Sequence, residues 1–305
     1  MQKHRHHKSP DYTEDRILTF KNTSGELTGL LEFASKVMPD RSRTTIKSWL
    51  KHGQIMLNGE ITTAFDAAVN PGDEVNVNTA RQFVTFRHPR LKLIYEDDDV
   101  IVVDKGYGLL SVGIPGAGKK KVDSAYDIIR DYIKRKNPAN KLFVVHRLDR
   151  DTSGLLMFAK TEEAMETLRH NWNNYILERF YVAMLEGIVK DDEGILRSRL
   201  TENSQYVVYS TANEDEGKLA VTRYKVLSRG KNTTLVEFAL STGRKNQIRV
   251  HASEMGHPIC GDYKYGAKKS RAGRLCLHAR TLRFAHPVTR KDMWFESPVP
   301  TVFFK

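Results

Sequence analysis

The chain has 305 residues, of which 40% are hydrophobic and 28% charged, a composition typical of ordinary globular proteins. Its formal net charge of +12 favours a polyanion or an anionic membrane surface as partner. No apolar run approaches the roughly 18 residues that a membrane span needs, and no apolar stretch follows the basic opening residues as in a secretory signal. The two cysteines, Cys260 and Cys276, have no metal-like spacing and suit a reducing, cytoplasmic compartment.

The first part of the chain predicts a tail followed by a small domain. Residues 1–17 are polar and rich in His, which predicts a disordered basic tail. Residues 18–80 contain LTGLLEFASKVMP, which has helical spacing, and a second predicted helix, RTTIKSWLKHG. Asp40 or Ser42 is placed to cap this second helix, which is expected to stop at Gly53. With short strands at IMLNGE and DEVNV, this part predicts a small α/β domain.

A larger domain is predicted at 91–305, after a linker of mixed polarity at 81–90. Apolar runs in LKLIYEDDDVIVVDK predict a pair of strands, and SAYDIIRDYIKRK predicts a helix. Further strands are predicted at LFVV, GLLMFA, RFYVAMLEG, LAVTRYKVL and TTLVEFAL, with another helix at TEEAMETLRHNWN. Strands outnumber helices and often follow one another directly, which favours an α+β domain on a mixed, largely antiparallel sheet.

The positive charge is concentrated in two stretches. On the helix predicted after Ser42, Arg43, Lys47 and Lys51 recur at every fourth residue and form a stripe on one face. Residues 263–291 contain nine Lys or Arg and neither Asp nor Glu. A solvated surface normally mixes both signs, so these stretches predict a nucleic-acid partner. A membrane surface is disfavoured because no basic amphipathic helix with a bulky apolar face stands out.

A dense group of charged residues separates two of the predicted strands. The segment HRLDRDTSG lies between LFVV and GLLMFA and holds His146, Arg147, Asp149, Arg150 and Asp151. A carboxylate at the mouth of a buried sheet needs a cationic partner to stay ionised. Asp149 is therefore the candidate active-site acid. From the residues alone, an internal ion pair without a catalytic role stays open as the alternative.

A second motif supplies cations that suit such a carboxylate. In LSTGRKNQIRVH a strand ends, the chain turns, and a helix is predicted to begin near Lys245. Arg244 and Lys245 then lie at the positive end of the helix dipole, where cations are disfavoured unless an anion is bound. Arg249 shares a helix face with Lys245. The placement predicts a carboxylate or a phosphate at this position.

These motifs resemble those of a known family. HRLDRDTSG is similar to the signature of the RluA-type pseudouridine synthases, and TGRKNQIRVH, GHPICGDYKYG and LHARTLRFAHPVT resemble its later motifs in the same order. ILERFYVAMLEG resembles the family's Tyr-bearing strand, and IYEDDDVIVVDKGYGLLS its opening motif, so the resemblance covers about 90–300. Residues 27–78 resemble the S4 RNA-binding domain through RSRTTIKSWLKHGQIMLNGE and VNPGDEV. The chain has Lys105-Gly106 where the family usually has Lys-Pro, and Lys245-Asn246 where Thr-His is usual.

The resemblance implies a role for each site residue. Asp149 would be the nucleophile that attacks the target uridine or its ribose, so that the N1–C1′ bond breaks and the uracil rejoins through C5 without metal or cofactor. Tyr181 would lie against the uracil face, and Arg249 would pair with Asp149. Arg147 would enter the RNA stack where the extruded uridine had been. The remaining positions expected to bind substrate or RNA are Arg244, Lys245 and Ile248 and, in the S4-like domain, Arg43, Lys47 and Lys51.

The resemblance implies an enzyme that isomerises specific uridines in structured RNA. Ribosomal RNA of the large subunit (23S type), or the assembling subunit, is the first expected partner, and transfer RNA is the second. Two other classes stay open: a non-catalytic RNA-binding or ribosome-assembly factor, and a nucleic-acid hydrolase. The intact Asp149, Tyr181 and Arg249 argue against the first, and the lack of metal-ligand spacing argues against the second. The protein is expected to be a cytoplasmic monomer.

Overall fold

The computed structural model describes residues 17–113, 123–213, 215–268 and 272–305. The chain divides into two compact units, Met1–Thr85 and Phe86–Lys305, with the division inside the stretch expected to be a linker. The tail expected to be disordered lies outside the described residues except at Ile17. That residue begins a strand because it pairs with Asn78, so its assignment to the tail is wrong. Within the described ranges no helix is long and apolar enough to cross a membrane.

The first unit combines short antiparallel strands with two helices. The element bounds are β1 (Ile17–Lys21), β2 (Thr28–Gly29), α1 (Leu30–Val37), α2 (Arg43–Lys51), β3 (Ile55–Leu57), β4 (Glu60–Ile61), β5 (Ala68–Val69) and β6 (Glu74–Asn78). One sheet has the strand order β1-β6-β3-β4, and β2 pairs with β5 in a second, two-stranded sheet.

Local sequence signals set the bounds of α2. The Thr45 N–H donates to the Ser42 hydroxyl at 3.1 Å, which identifies Ser42 as the N-cap. Gly53, with φ +65°, follows the last helical turn as predicted. The buried face of α2 packs into the unit's apolar core through Ile46 and Leu50. The opposite face is exposed and carries the basic stripe of Arg43, Lys47 and Lys51.

The second unit is built on one large sheet. Its elements are β7 (Leu91–Glu96), β8 (Val100–Lys105), α3 (Ala125–Lys136), β9 (Phe143–Val144), β10 (Ser153–Ala159), α4 (Glu162–His170), α5 (Trp172–Tyr175), β11 (Ile176–Glu186), β12 (Glu193–Glu202), β13 (Val208–Thr211), β14 (Lys218–Arg229), β15 (Thr233–Leu240), α6 (Gln247–Glu254), β16 (Leu277–Ala285) and β17 (Asp292–Glu296). Single 3-10 turns lie at Tyr263–Tyr265 and Thr301–Phe304.

The sheet is mixed and largely antiparallel, as the sequence predicted. Nine strands follow the order β13-β12-β14-β15-β11-β16-β10-β8-β7, while β17 pairs with β16 and β9 with β10. In the described sheet only the β10–β16 pair is parallel, and it is short, joining Ser153 to His278 and Gly154 to Ala279. The strand just after the charged loop, β10, is an interior strand of the sheet, between β16 and β8.

Gly154 makes the short parallel contact possible. Its φ is +114°, and a Cβ built on it would lie 2.2 Å from the carbonyl oxygen of Ala279. Only glycine fits this backbone and this close approach. The last residue of HRLDRDTSG thus fixes where β10 begins and where the preceding loop ends.

The two apolar runs around the loop behave differently. All seven residues of β10 are buried, as expected of GLLMFA. The prediction of a buried strand along the whole of LFVV is wrong in extent, because only Phe143 and Val144 are in a strand and both are partly exposed. They meet only the last two residues of β10, Phe158 and Ala159, so no ladder continues beyond them.

Candidate active site

The charged loop between β9 and β10 borders a cavity of about 560 Å³. The wall of this cavity contains all three predicted catalytic residues, Asp149, Tyr181 and Arg249. The loop itself supplies Asp149, β11 supplies Tyr181, and α6 supplies Arg249. The predicted substrate-binding residues of this unit also line the cavity: Arg147, Arg244, Lys245 and Ile248.

Hydrogen bonds hold the loop on both sides of Asp149. The Ser111 hydroxyl donates to the carbonyl of Leu148 at 2.7 Å and accepts the Leu148 N–H at 3.0 Å. On the other side, the ammonium of Lys105 donates to the carbonyl of Arg150 at 3.1 Å. The backbone on either side of Asp149 is therefore tied to the end of β8 and to the segment that follows it. Sequence reasoning missed Ser111, whose only signal is its place in the opening motif.

Lys105 is a buried anchor for this region. Its side chain is fully buried, and its ammonium also donates to the carbonyl of Leu109 at 2.8 Å. Burial lowers the pKa of Lys105 to about 8, opposed by the charges of Asp151 and Asp149. Lys105 thus adds positive potential near Asp149 while it holds the loop.

The structure accounts for Gly106, which stands where the family usually has proline. The Gly106 N–H donates to the carbonyl of Arg90 at 2.8 Å, a bond that proline lacks the hydrogen to make. A Cβ on Gly106 would also lie 2.9 Å from the same oxygen. This departure therefore reflects a local backbone contact and leaves the position of Lys105 intact.

The carboxyl group of Asp149 is subject to opposing electrostatic effects. Burial raises its pKa above the usual value, and the charges of Arg249, Arg147, Lys105 and Lys245 oppose that increase in this order. In the part of the chain that the structure describes, no cation lies within ion-pair distance of its oxygens. The carboxylate is thus surrounded by positive charge without being locked to any one group.

Arg249 is not bonded to Asp149, so the expectation of a direct pair is wrong. Its guanidinium makes a two-pronged bond to Asp262, with both N···O distances 2.7 Å. The Asp262 side chain is only 1% exposed, and this buried carboxylate needs the guanidinium as partner. Arg249 also lies over the ring of Tyr265, 4.9 Å from its centroid. It acts on Asp149 through space, as the largest of the charges that lower its pKa.

Asn246 explains why α6 begins later than predicted. Its φ of +54° is left-handed, so the helix begins after it, at Gln247 rather than near Lys245. Its amide donates to the hydroxyl of Tyr265 at 3.0 Å, and its amide oxygen accepts from Arg249 at 3.2 Å. Asparagine tolerates the left-handed region and supplies both bonds. It therefore helps to fix Arg249 at the cavity wall.

The two cations before α6 already have partners within the chain. The ammonium of Lys245 bonds the carboxylate of Glu202 on β12, and the Arg244 guanidinium donates to the carbonyl of Leu219 at 3.0 Å. The charge of Lys245 is thus partly balanced before any substrate binds. Both side chains still face the cavity.

Tyr181 lies in the middle of the sheet, on β11 between Phe238 and Ala279 of the neighbouring strands. Its side chain is 8% exposed and lines the cavity. Burial raises the pKa of its phenol, and the charge of Arg179 opposes that effect. The phenol is therefore neutral near pH 7 and offers a flat, protonated ring to the cavity.

The two histidines of these motifs, His146 and His251, are held inside the fold by hydrogen bonds. The Met157 N–H donates to Nε2 of His146 at 3.0 Å, and burial lowers the pKa of His146 to about 3. His251 lies between the hydroxyls of Ser198 and Thr222, and burial lowers its pKa as well. Both rings are neutral near pH 7.

The basic stretch at 263–291 is not one free positive surface, contrary to the expectation from its composition. Lys269 and Arg271 lie outside the described residues. Two of its other cations meet acids on other strands of the same sheet, which the composition of the stretch alone cannot reveal. These pairs are Arg280 with Glu237 and Glu296, and Arg283 with Glu178 and Asp292.

One cluster has donor atoms close enough to suggest a cation: Asp97, Asp99 and His286. Its atoms are already used within the fold. Asp97 accepts from the hydroxyl of Tyr95 at 2.7 Å and from Nε2 of His286 at 3.0 Å. Asp99 accepts from the hydroxyl of Thr161 at 3.2 Å. These bonds make the cluster an anchor for the β7–β8 turn.

Solved structures share this fold. Human RNA pseudouridylate synthase domain containing 4 aligns with a TM-score of 0.58 and 23% identity, over 70% of this chain and 90% of its own. Human RNA pseudouridylate synthase domain containing 1 aligns with a TM-score of 0.55, over 71% and 86% of the two chains, also at 23% identity. At these identities the likeness is one of fold.

Sequence comparison identifies the family. Residues 99–254 match the RNA pseudouridylate synthase family. The chain is 36% identical to the uncharacterized RNA pseudouridine synthase YlyB of Bacillus subtilis, over 88% of this chain and 89% of that protein. It is 32% identical to ribosomal large subunit pseudouridine synthase D of Neisseria meningitidis serogroup B, over 96% and 81%. The chain therefore belongs to the RNA pseudouridylate synthase family and is an RNA pseudouridine synthase, an isomerase.

Proposed function

We propose that this enzyme isomerises specific uridines of large-subunit ribosomal RNA, with Asp149 as the nucleophile. The observation that carries the proposal is the setting of Asp149. Its carboxylate borders a cavity of about 560 Å³, on a loop tied down at Leu148 and Arg150, within the field of several cations. A carboxyl group on a tied-down loop, surrounded by cations and next to a neutral phenol, suits attack on a flipped-out nucleoside. The ribosomal target is supported by relatives named ribosomal large subunit pseudouridine synthase D.

In the proposed reaction the Asp149 carboxylate attacks the ribose or the uracil ring, and the N1–C1′ bond breaks. The uracil turns against the ring of Tyr181 and forms the new C5–C1′ bond, and the bond between Asp149 and the substrate breaks, which regenerates the free carboxylate. The proton on C5 is lost and N1 gains one, so atoms and charge balance without an oxidant or a reductant. The protein's part is to exclude water, to oppose protonation of Asp149 with nearby cations, and to hold the base in place.

The first unit is proposed to be an S4-like RNA-binding domain. The exposed stripe of Arg43, Lys47 and Lys51 on α2 supports this, because its like charges repel unless phosphates lie against them. Arg147, which is exposed at the cavity mouth, is proposed to take the place of the extruded uridine. The protein is proposed to work as a monomer in the cytoplasm, where ribosomal subunits are assembled.

The test uses RNA that carries tritium at C5 of its uracils, because forming the C5 glycosidic bond releases that atom to water. Separate reactions contain the large-subunit ribosomal RNA and a transfer RNA mixture. We expect wild-type protein to release tritium from the ribosomal RNA and leave the strand intact. Release from the transfer RNA alone would contradict the ribosomal target. Strand cleavage, or no release from any RNA, would contradict the proposed reaction.

A further inference from the structure

A second cavity of about 400 Å³ lies beside the active-site cavity. The two have a common wall that includes Trp172, Arg179 and Ser241. A nucleoside in the first cavity remains joined to its neighbours through its phosphates, and those phosphates must leave the first cavity somewhere. The shared wall places the second cavity directly beside the first, next to where those phosphates would leave it.

The charged side chains of this second cavity favour an anion. Two arginines line it, Arg179 on β11 and Arg223 on β14. Among the described residues, neither guanidinium has an acidic partner at ion-pair distance. The one acid in the lining, Glu178, is bonded to Arg283 at 2.9 Å, and even at its full charge it offsets only one of the two arginines. Both arginines are available to a ligand, and the cavity carries net positive charge.

Arg179 is held in place without being neutralised. Its guanidinium lies over the ring of Trp172, 5.3 Å from the centroid, and the same ring contacts that of His146 at 5.3 Å. Burial lowers the pKa of His146 and raises that of Tyr181, and the charge of Arg179 adds to the first effect and opposes the second, so it acts at the active-site wall. A cation fixed by an aromatic ring loses little side-chain freedom when it binds an anion.

We propose that the second cavity binds the RNA backbone beside the target uridine, with Arg179 in contact with one of the two phosphates that flank that uridine and Arg223 farther along the strand. The inference rests on the proposed function, which places a uridine in the first cavity. A planar guanidinium suits two oxygens of a phosphate. A contact between Arg179 and a phosphate at the junction of the cavities would fix the nucleoside relative to Asp149. Arg179 and Arg223 would contact only the RNA backbone and would not recognise a base.

The test is a cycle of protein and RNA changes. The wild-type protein first identifies its target uridine by tritium release, and a stem-loop with that uridine is then synthesised. In separate RNAs, each flanking phosphate is replaced by an uncharged methylphosphonate. Binding is measured in the Asp149→Asn background, which prevents turnover, with and without Arg179→Gln. Arg130→Gln serves as control, since it also removes one positive charge but lies on α3 in ion pairs with Asp127 and Asp131 and lines neither cavity.

We expect Arg179→Gln to weaken binding of unmodified RNA about tenfold, the loss typical of one charge-assisted contact. One of the two methylphosphonates should cause a similar loss, and combining it with Arg179→Gln should add nothing further. With Arg130→Gln, the methylphosphonate should still show its full effect. If the loss caused by the methylphosphonate multiplies the loss caused by Arg179→Gln at both flanking positions, Arg179 has only a structural role. That result would overturn the proposed phosphate site. If the wild type releases no tritium at all, the proposed function fails, and the phosphate site fails with it.

Discussion

The buried carboxyl group of Asp149 lowers the stability of the folded protein at neutral pH. Its pKa is raised because burial outweighs the attraction of the surrounding cations. A carboxyl group with a higher pKa in the folded than in the unfolded protein holds its proton more tightly when folded. The folded state therefore loses stability, relative to the unfolded state, as the pH rises above the unfolded pKa of about 3.9 and up through the folded pKa.

Replacing Asp149 by Asn removes this cost. We expect Asp149→Asn to have a larger free energy of unfolding than wild type at pH 7. The difference should shrink as the pH falls toward 4, where the wild-type carboxyl group becomes protonated. Denaturant unfolding of both proteins between pH 4 and pH 8 measures it. If the wild type is more stable than the variant at pH 7, the surrounding cations lower the pKa of Asp149 by more than burial raises it.

Arg249 contributes both to folding and to the charge state of Asp149. Arg249→Leu alone leaves the buried carboxylate of Asp262 unpaired, so we expect a loss of about 3–5 kcal/mol in unfolding free energy. Arg249→Leu combined with Asp262→Asn should recover most of that loss. The double variant therefore separates the structural role from the electrostatic one, and unfolding of the three proteins measures this recovery.

The same double variant, Arg249→Leu with Asp262→Asn, should also differ from wild type in the pH dependence of its rate. Without the cation that opposes burial most, the pKa of Asp149 rises further, and a larger share of the carboxyl group is protonated near pH 7. We expect its single-turnover rate at saturating RNA to be low near pH 7 and to recover in part as the pH rises, with wild type flatter. Parallel pH profiles would show that Arg249 does not act on the ionisation of Asp149.

At the scale of elements, the loop between β9 and β10 depends on the segment after β8. Ser111→Ala removes both hydrogen bonds to Leu148 and leaves its buried N–H unpaired, which costs about 1–3 kcal/mol. Because the loop positions Asp149, we also expect the single-turnover rate to fall by up to about a hundredfold. Ser35→Ala, which removes a hydroxyl bonded to the Leu31 carbonyl in α1, is the matched control and should leave the rate unchanged. An unaltered rate in Ser111→Ala would exclude this positioning role.

Local patterns predicted those elements whose signals are local. The apolar run of β10 and the cap of α2 are read directly from neighbouring residues, and both are present. In contrast, β12 was not predicted, because Leu200 is the one buried position of EGILRSRLTE, and the strand lacks a clear apolar face. The pair of Arg249 with Asp262 was also missed. Sequence spacing places Arg249 near the cavity but cannot choose between two aspartates brought close only by folding.

For the whole molecule, charge is distributed over both units. The first unit carries its stripe of Arg43, Lys47 and Lys51 on an exposed helix face, whereas Arg280 and Arg283 in the second unit are paired with acids. The count of 49 Lys and Arg therefore overstates the number of cations that are free to bind RNA. The first unit's stripe is the part best placed to contribute to non-specific affinity.

Changing Arg43, Lys47 and Lys51 to Gln tests whether this stripe contributes to RNA affinity. We expect RNA affinity to fall and the slope of log affinity against log salt to decrease by roughly two to three units, because about three phosphates lose their contacts. The rate at saturating RNA should change less. The triple change of Lys92, Lys134 and Arg135, exposed residues of the second unit, removes the same charge and is the control. An equal effect of both triple variants would mean that only net charge matters.

The whole account depends on Asp149 as the group that attacks the substrate. The most direct measurement is the single-turnover release of tritium from C5-labelled target RNA by Asp149→Asn, with RNA affinity measured on the same preparation. The amide keeps the size of the side chain and its place on the loop but cannot act as the nucleophile. The account predicts affinity close to that of wild type and no detectable release. Substantial release by a fully bound Asp149→Asn protein would contradict it.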